Sequence, residues 1–567
     1  MIKEIIQKLV EKAILEISTD KVPEIVIEKP KDDFGDYAVS VAFGLAKKLG
    51  KKPQEIAEQL AEKINQAKTD EVAEVIATDG YINFLLSQDF LQKELLKINH
   101  NKKDFGKTDL GQSKTVIIDY SQPNIAKRMH VGHLRTTILG DALANIYDFL
   151  GFKVIRWNYL GDWGTQFGNL ITAYKKWGNK DEVEKNPITT LLDLYVRFTQ
   201  EVKNDPKLES AGREEFRKLE EGDKENLELW QWFKEESLKE FKKIYDILDI
   251  KFDNYIGESF YEKQLQPLVK ELKEKGIAQE SEGGWIINLD QYNLQSALIQ
   301  KSDGASLYLT RDIAALKHRL SEYKPAKILY VVSNEQSFHF QQLFAIAKIL
   351  GLNQAELEHV KYGLVLGEDK KKFATREGRG IFAEDLINKT VEMAREIIET
   401  KNPALTDDEK QNISQTVAIG ALKYEMLKDH RNTDIVFDWK RMLDFSGNSA
   451  PYLQYTYARL ENIIKKAGEI GEANFSEIKD KKALNLIKQL LEFPEAVIQC
   501  QKNNLTNPLT LYLFELANLA NNFYESILIL RDENKLRQSA HLVLIQTVAQ
   551  TLKKGLGLLG IKILERI

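Results

Sequence analysis

Apolar residues recur along this chain at changing periods, and the changes outline its parts. Near the start, Ile2, Ile5, Ile6, Leu9, Ala13 and Ile17 share one helical face, with Lys and Glu between them. After Pro30 a glycine-marked turn leads into two more helical patterns, the second opened by Pro53. Residues 80–87 (GYINFLLS) read as a strand. Together these predict a small α+β unit over residues 1–105, followed by the polar linker KKDFGKTDLGQSK.

Residues 115–120 (TVIIDY) then form a short continuous apolar run, the mark of a buried strand. A helix is expected from about His133, with Leu134, Ile138, Ala142 and Ile146 at i+4 steps and Gly151 as its stop. Residues 153–161 (KVIRWNYLG) make a second strand, so this is a βαβ unit with parallel strands and a right-handed crossover. The pattern returns in SLYLTRDIAALKHRL, the strand 328–332 (ILYVV) and a helix ending at Leu350 before Gly351. The Lys/Glu-rich stretch of about 180–245 reads as a solvated helical insertion. From about 386 nearly everything is helical, with the weakly hydrophobic AGEIGEANFSEIKDKK separating two groups of helices. The expected organisation is multidomain α/β plus α. It comprises the α+β unit, a parallel-sheet domain over 112–385, a helical connection over 386–447 and an all-α bundle over 448–567.

Composition narrows the function classes. The 567 residues allow roughly three to four domains. No run reaches the roughly 18 apolar residues of a membrane span, and the Lys/Glu-studded start is unlike a secretion signal. One cysteine, Cys500, forbids an internal disulfide or a CxxC zinc site. A soluble cytoplasmic protein is therefore expected. The net charge of −5 disfavours a surface that coats polyanions wholesale, although a basic face on an acidic body remains compatible.

The strongest chemical signal lies where the first sheet strand ends, in SQPNIAKRMHVGHLR. His130 and His133 flank Gly132 just ahead of a helix, whose free N–H groups attract phosphate oxygens. Glycine lets a base or phosphate approach the backbone, and two imidazoles supply donors to charge growing on a transferred phosphate. The plainer alternative, an HxxH metal pair, lacks helical HExxH spacing. A second segment, YGLVLGEDKKKFATREGRG, sets Lys370, Lys371, Lys372, Arg376 and Arg379 among glycines. Alone it is a solvated turn; beside the histidines it suits a triphosphate clamp. The Gly555, Gly557, Gly560 triplet spells GxGxxG, but only seven residues follow it, so no βαβ unit can surround it.

In company these segments resemble a class I aminoacyl-tRNA synthetase, HVGH standing for the "HIGH" signature and KFATR for a degenerate "KMSKS". SQPNIAKRMHVGHLRTTILGDA, NYLGDWGTQFGNLI, GESFY, YLTRDIA, VLGEDKKKFATREG and FDWKRMLDFSGNSAPYLQYTYAR, in this order, resemble a bacterial-type arginyl-tRNA synthetase from end to end. The resemblance implies a Rossmann-like catalytic domain, an N-terminal domain touching the tRNA elbow, a helical anticodon-binding domain and no editing domain. It implies a monomer that uses ATP with Mg²⁺, L-arginine and tRNA(Arg), with no zinc and no other resident metal.

Site roles are implied in the same way. The HIGH region covers Pro123, Asn124, Ile125, Ala126, Lys127, Arg128, Met129, His130, Val131, Gly132 and His133. His130, His133, Lys127 and Lys372 would be catalytic, and His130, Gly132, His133, Lys372 and Arg376 would bind ATP. Lys127 would replace the second KMSKS lysine, since Thr375 and Arg376 follow Ala374 here. Asn124, Tyr308, Asp312 and Gln336 fall on the arginine-binding positions. Tyr308 and Asp312 are i, i+4, so one helical turn would bring them to one face, and a carboxylate accepts two guanidinium N–H groups at once. Asp312 also reads plainly as a helix-start residue. Tyr159 departs from the family's usual histidine.

Tyr452, Tyr455, Tyr457, Arg459, Phe523 and Tyr524 could stack or pair with unstacked anticodon bases. For any single ring among them, core is the simpler reading. Three rivals remain. A cysteinyl enzyme needs a zinc–cysteine site. A small nucleotidyltransferase has no use for the helical C-terminal part. A non-catalytic tRNA-binding paralogue should have lost His130, His133, Lys372 or Asp312, all of which are present.

Overall fold

Four parallel strands carry the centre of the molecule, in the order Glu356–His359, Lys327–Tyr330, Thr115–Asp119, Lys153–Trp157. The computed structural model describes residues 2–18, 22–30, 34–304, 307–371 and 381–566. Both faces of the sheet are covered, as continuous apolar strands require. Val116, Ile118, Leu329 and Val331 bury into one core with the helix Val131–Phe149. Ile117, Ile328, Tyr330 and Val332 bury into a second core with Tyr308–Tyr323 and Ser337–Ile349. Against that second core lie a helix, Glu262–Glu274, and a three-stranded antiparallel sheet over residues 278–300 that the sequence pattern did not suggest.

The insertion differs from its expected solvated character. Its last helix, Lys224–Leu248, buries Phe233, Ser237, Phe241 and Tyr245, which recur at i+4 steps. That face packs on the loop after the first sheet strand, so the helix supports the site rather than merely decorating it.

In the N-terminal part, helices pack on a four-stranded antiparallel sheet. The first helix buries Ile2, Ile6, Leu9, Val10, Ala13 and Ile14, leaving Ile5 and Ile17 only partly covered. Two of its strands, Tyr37–Val39 and Val72–Thr78, escape a period-2 reading. The first has only three residues. A register shift between Val72 and Glu74 spoils the alternation in the second. The C-terminal helices run from Ala450–Ala467 to Lys535–Leu558, the latter containing the unused Gly555 and Gly557. The two ends of the chain meet: Lys488 pairs with Asp36 at 2.6 Å, and Gln88 and Gln92 donate to the Ile478 carbonyl at 3.1 and 3.0 Å.

Candidate active site

The strands Thr115–Asp119 and Lys327–Tyr330 lie side by side, and their crossovers run to opposite sides of the sheet. A crevice therefore opens beyond their carboxyl ends, at the switch point of the strand order. Its first wall is the loop 120–130. Ser121, Gln122 and Ala126 there have φ of 76°, 51° and 59°, a left-handed conformation that costs about 1–2 kcal/mol for a residue with a Cβ. Fixed partners hold them. Ser121 N–H donates to Thr136 Oγ1 (3.3 Å), and Ser121 Oγ bonds the Tyr245 hydroxyl (2.7 Å). Gln122 N–H donates to Asn158 Oδ1 (3.2 Å) and Ala126 N–H to Ser237 Oγ (3.0 Å).

The loop ends at His130, the N-cap of Val131–Phe149. Gly132 N–H donates to His130 Nδ1 (3.0 Å), and His130 N–H donates to His133 Nδ1 (3.2 Å). Accepting at Nδ1 places each ring's proton on Nε2, leaving that N–H to the cleft. The ring centroids are 3.8 Å apart. A Cβ on Gly132 would stand 2.8 Å from His130 Cε1, so the pair needs glycine between its members. Burial pushes His133 down to about 3, His130 and Lys127 adding to it, and desolvation lowers His130. Both rings are neutral donors at pH 7, suited to phosphate oxygens.

The histidines line a cleft of about 590 Å³ that Tyr362 and Phe382 also border. A second pocket of about 420 Å³ adjoins it, and the two share Gln122, Asn124, Val332 and Gln336. This second pocket is acidic. Tyr308 and Asp312 reach it from the first turns of one helix, with Tyr308 exposed. Asp312 Oδ2 lies 2.5 Å from His339 Nε2. Glu258 enters from the 3-10 turn Glu258–Tyr261, whose Ser259 N–H and Oγ both bond the buried Asp162 (2.8 Å each). Burial pushes the Glu258 carboxyl up to about 8 although Arg311 opposes this, and its Oε2 finds no hydrogen-bond partner among the described residues. The Tyr159 hydroxyl is buried and equally unpartnered. Beneath them Asp119 and Arg319 form a buried ion pair at 2.6 Å. Unsatisfied acceptors facing one cavity fit a ligand that brings several N–H donors.

Asn124, Tyr308, Asp312 and Gln336 are thus brought to one pocket, and His130, Gly132 and His133 to the next. Two neighbours in the motif are not. The Lys127 ammonium lies 5.8 Å over the Tyr195 ring, and Arg128 pairs with Asp385 at 2.7 Å and covers Phe382. Pro123, Ile125, Ala126, Met129 and Val131 are buried supports. Lys372 and Arg376 lie outside the described residues. Glu258, Tyr159 and His339 line the acidic pocket without having been singled out as arginine contacts; GESFY and the Tyr159 departure were the available signals. Arg135 was also missed. Its guanidinium donates to the carbonyls of Gly363, Leu364, Arg431 and Thr433 at 2.5–3.1 Å, tying the histidine helix to the base of the basic loop.

Far from this crevice, Arg459 stacks over Tyr524 at 4.1 Å and lies 5.8 Å from the exposed Tyr455. Tyr452 is half-buried and bonded to Asn518 (2.7 Å), while Tyr457 and Phe523 belong to the core.

Comparison with known proteins agrees with this architecture. Residues 94–439 match the family model for the catalytic domain of class I tRNA synthetases (R). Residues 2–86 match the arginyl-tRNA synthetase N-terminal domain, and residues 453–567 the DALR anticodon-binding domain. An arginine–tRNA ligase of Halothermothrix orenii is 40% identical over 100% of this chain and 99% of its own. One from Clostridium botulinum is 41% identical, covering 97% of both. The crystal structure of an arginyl-tRNA synthetase from Plasmodium falciparum superposes with a TM-score of 0.84 at 28% identity, covering 100% and 99% of the two chains. The Thermus thermophilus arginyl-tRNA synthetase gives 0.84 at 25% identity, with 100% of each chain covered. With a pocket of carboxylates opening onto a paired-histidine cleft, and relatives of this kind along its whole length, the chain belongs to the class I arginyl-tRNA synthetases.

Proposed function

We propose that the histidine-lined cleft takes ATP, the carboxylate-lined pocket beside it takes L-arginine, and the chain ligates arginine to tRNA(Arg). The observation that carries this reading is the shared wall: Asn124 and Gln336 border both spaces, so an amino acid in one would present its carboxylate to a nucleotide in the other. Asp312 would hold the guanidinium, a planar fork of five donors, with the Tyr159 and Tyr308 hydroxyls as further acceptors and Glu258, mostly protonated in the empty pocket at pH 7, accepting through its carbonyl oxygen or giving up its proton as the cation arrives.

In the first step an arginine carboxylate oxygen attacks the α-phosphorus in line. A carboxylate–phosphorus bond forms, the α–β phosphoanhydride breaks, and pyrophosphate leaves with arginyl-adenylate behind. No protein nucleophile is required. His130 and His133 donate Nε2–H bonds to oxygens that gain charge, and Lys127 and Lys372 supply positive charge near the phosphates. Magnesium enters only as the triphosphate's counter-ion and weakens its charge. The described residues offer no group of three ligands for it, and no step is assigned to it. In the second step the terminal adenosine 2′-OH, by class resemblance, attacks the adenylate carbonyl and AMP leaves.

The domain limits 1–105, 112–385, 386–447 and 448–567 are part of this proposal, as are a monomeric state and a cytoplasmic site of action. The exposed Tyr455 and the half-buried Arg459 and Tyr524, with Tyr452 beside them, would receive anticodon bases. Calorimetric titration with L-arginine, L-lysine and L-citrulline tests the pocket. Arginine is expected to bind and the others to be rejected, because each leaves buried acceptors unpaired or brings no charge. Comparable affinity for citrulline would remove the carboxylates from the account.

A further inference from the structure

Asp312 and His339 face each other across the mouth of the acidic pocket, on two helices that begin at its rim. Their 2.5 Å contact is short even for a charge-assisted bond. Both side chains are about three-quarters covered, at 23% and 26% exposed. Phe340 stands edge-on to the imidazole, and Phe340 is itself fixed between Tyr330 and His359. The ring therefore has one seat. Asp312 commits Oδ2 to it, and Oδ1 is left for a ligand.

We propose that His339 is a positioning residue for arginine capture: it aims the Asp312 carboxylate into the pocket and, on taking up a proton, cancels the charge that attracts the guanidinium. The inference rests on Asp312 being the arginine anchor. A neutral His339 donates Nε2–H and leaves Asp312 fully anionic. A protonated one makes the pair neutral and adds a cation beside a cationic substrate.

The surrounding groups leave His339 room to act this way. Asp119 is answered by Arg319. Tyr159 and Tyr330 are raised by burial, and burial pushes His359, behind Phe340, down to about 4. Tyr308 and Arg311 flank Asp312 on its own helix. Burial opposes protonation of His339, and the Asp312 hydrogen bond and charge outweigh it, so its pKa sits above the ordinary value. Glu258, pushed to about 8, is the neighbour that also titrates near neutrality, and the test separates it.

Arginine affinity of the full chain would be measured by calorimetry from pH 6 to 8.5, with aminoacylation KM and kcat alongside, for wild type, His339→Gln, Glu258→Gln and Asp312→Ala. Gln keeps an N–H donor and cannot take the proton. Wild type should weaken as pH falls, by roughly tenfold or more relative to His339→Gln across this range, between the about fivefold scale of a fully water-screened pair of unit charges in contact and the about 10³-fold scale of one near a protein surface. Glu258→Gln should itself still weaken by about that amount as pH falls, and kcat at pH 8 should change less than about twofold in His339→Gln. Parallel pH profiles for wild type and His339→Gln, with Asp312→Ala severely impaired, would overturn the inference alone. Unimpaired arginine binding by Asp312→Ala would overturn the anchor itself.

Discussion

Replacing Arg319 by Met tests how the floor of the arginine pocket is held. The Arg319 Nη2 to Asp119 Oδ2 contact is 2.6 Å, and the side chains are 1% and 2% exposed. Its guanidinium centre lies 4.6 Å from the Trp157 ring and 5.4 and 5.6 Å from those of Tyr159 and Tyr330. Met keeps the apolar stem but leaves Asp119 buried with only the Gln122 amide, at 2.8 Å, as a partner. Breaking one side of a buried pair costs about 3–5 kcal/mol, whereas removing both charges costs far less. Asp119→Asn/Arg319→Met should therefore recover about 2–3 kcal/mol of the loss. At about 2–4 °C per kcal/mol for a domain of this size, Arg319→Met should lower the transition of the catalytic domain by roughly 6–20 °C in scanning calorimetry.

The deficit should also depend on pH. Burial raises the Asp119 carboxyl even against Arg319. Without the guanidinium the native state holds that proton still more tightly than the unfolded chain does. Stability relative to wild type then falls as pH rises above the raised value that Asp119 already has in the wild-type native state, and levels off above its still higher value in the variant. A loss under about 1 kcal/mol, or a double variant no better than Arg319→Met, would refute the reasoning.

Four further outcomes follow from the site. Asp312→Ala should raise the arginine KM by about 10²-fold or more while the ATP KM stays within a few-fold, in pyrophosphate exchange; near-normal arginine kinetics would contradict its role. His133→Ala should cut kcat by about 10²–10³, the scale of one lost donor to developing charge, and an unchanged kcat would remove the ring from the transition state. Gly161→Ala would drive a Cβ into the Asn124 amide, and should raise the arginine KM with the melting temperature nearly kept, read by the same exchange assay. Tyr159→Phe deletes a buried hydroxyl that has no partner among the described residues, so stability should hold or rise; a loss above about 1 kcal/mol in thermal unfolding would show a hidden partner.

Much of the sheet domain was legible because burial on both faces leaves continuous apolar strands, and TVIIDY and ILYVV carry that mark without ambiguity. The histidine pair was legible because local hydrogen bonds among residues 130–133 build it. What escaped depends on distant chain. Tyr37–Val39 is a strand because Tyr81–Leu86 and Ile27–Glu28 pair with its two edges, and Val72–Thr78 loses its alternation at a bulge. Asp312 could be aligned with Tyr308 from spacing, but its partner His339 and the facing Glu258 come from other elements. The Lys127 ammonium lies over the Tyr195 ring, a neighbour from the insertion of which a single sequence offers no sign. The helix Lys224–Leu248 hid its buried stripe among charges, although Phe233, Ser237, Phe241 and Tyr245 keep a strict four-residue step.

ATP–pyrophosphate exchange by the purified full chain, run with each amino acid in the presence and absence of a tRNA pool, tests the central claim most directly. The account predicts exchange with arginine and with no other amino acid. Exchange driven by a different amino acid, or none at all from folded protein that still binds tRNA, would contradict it.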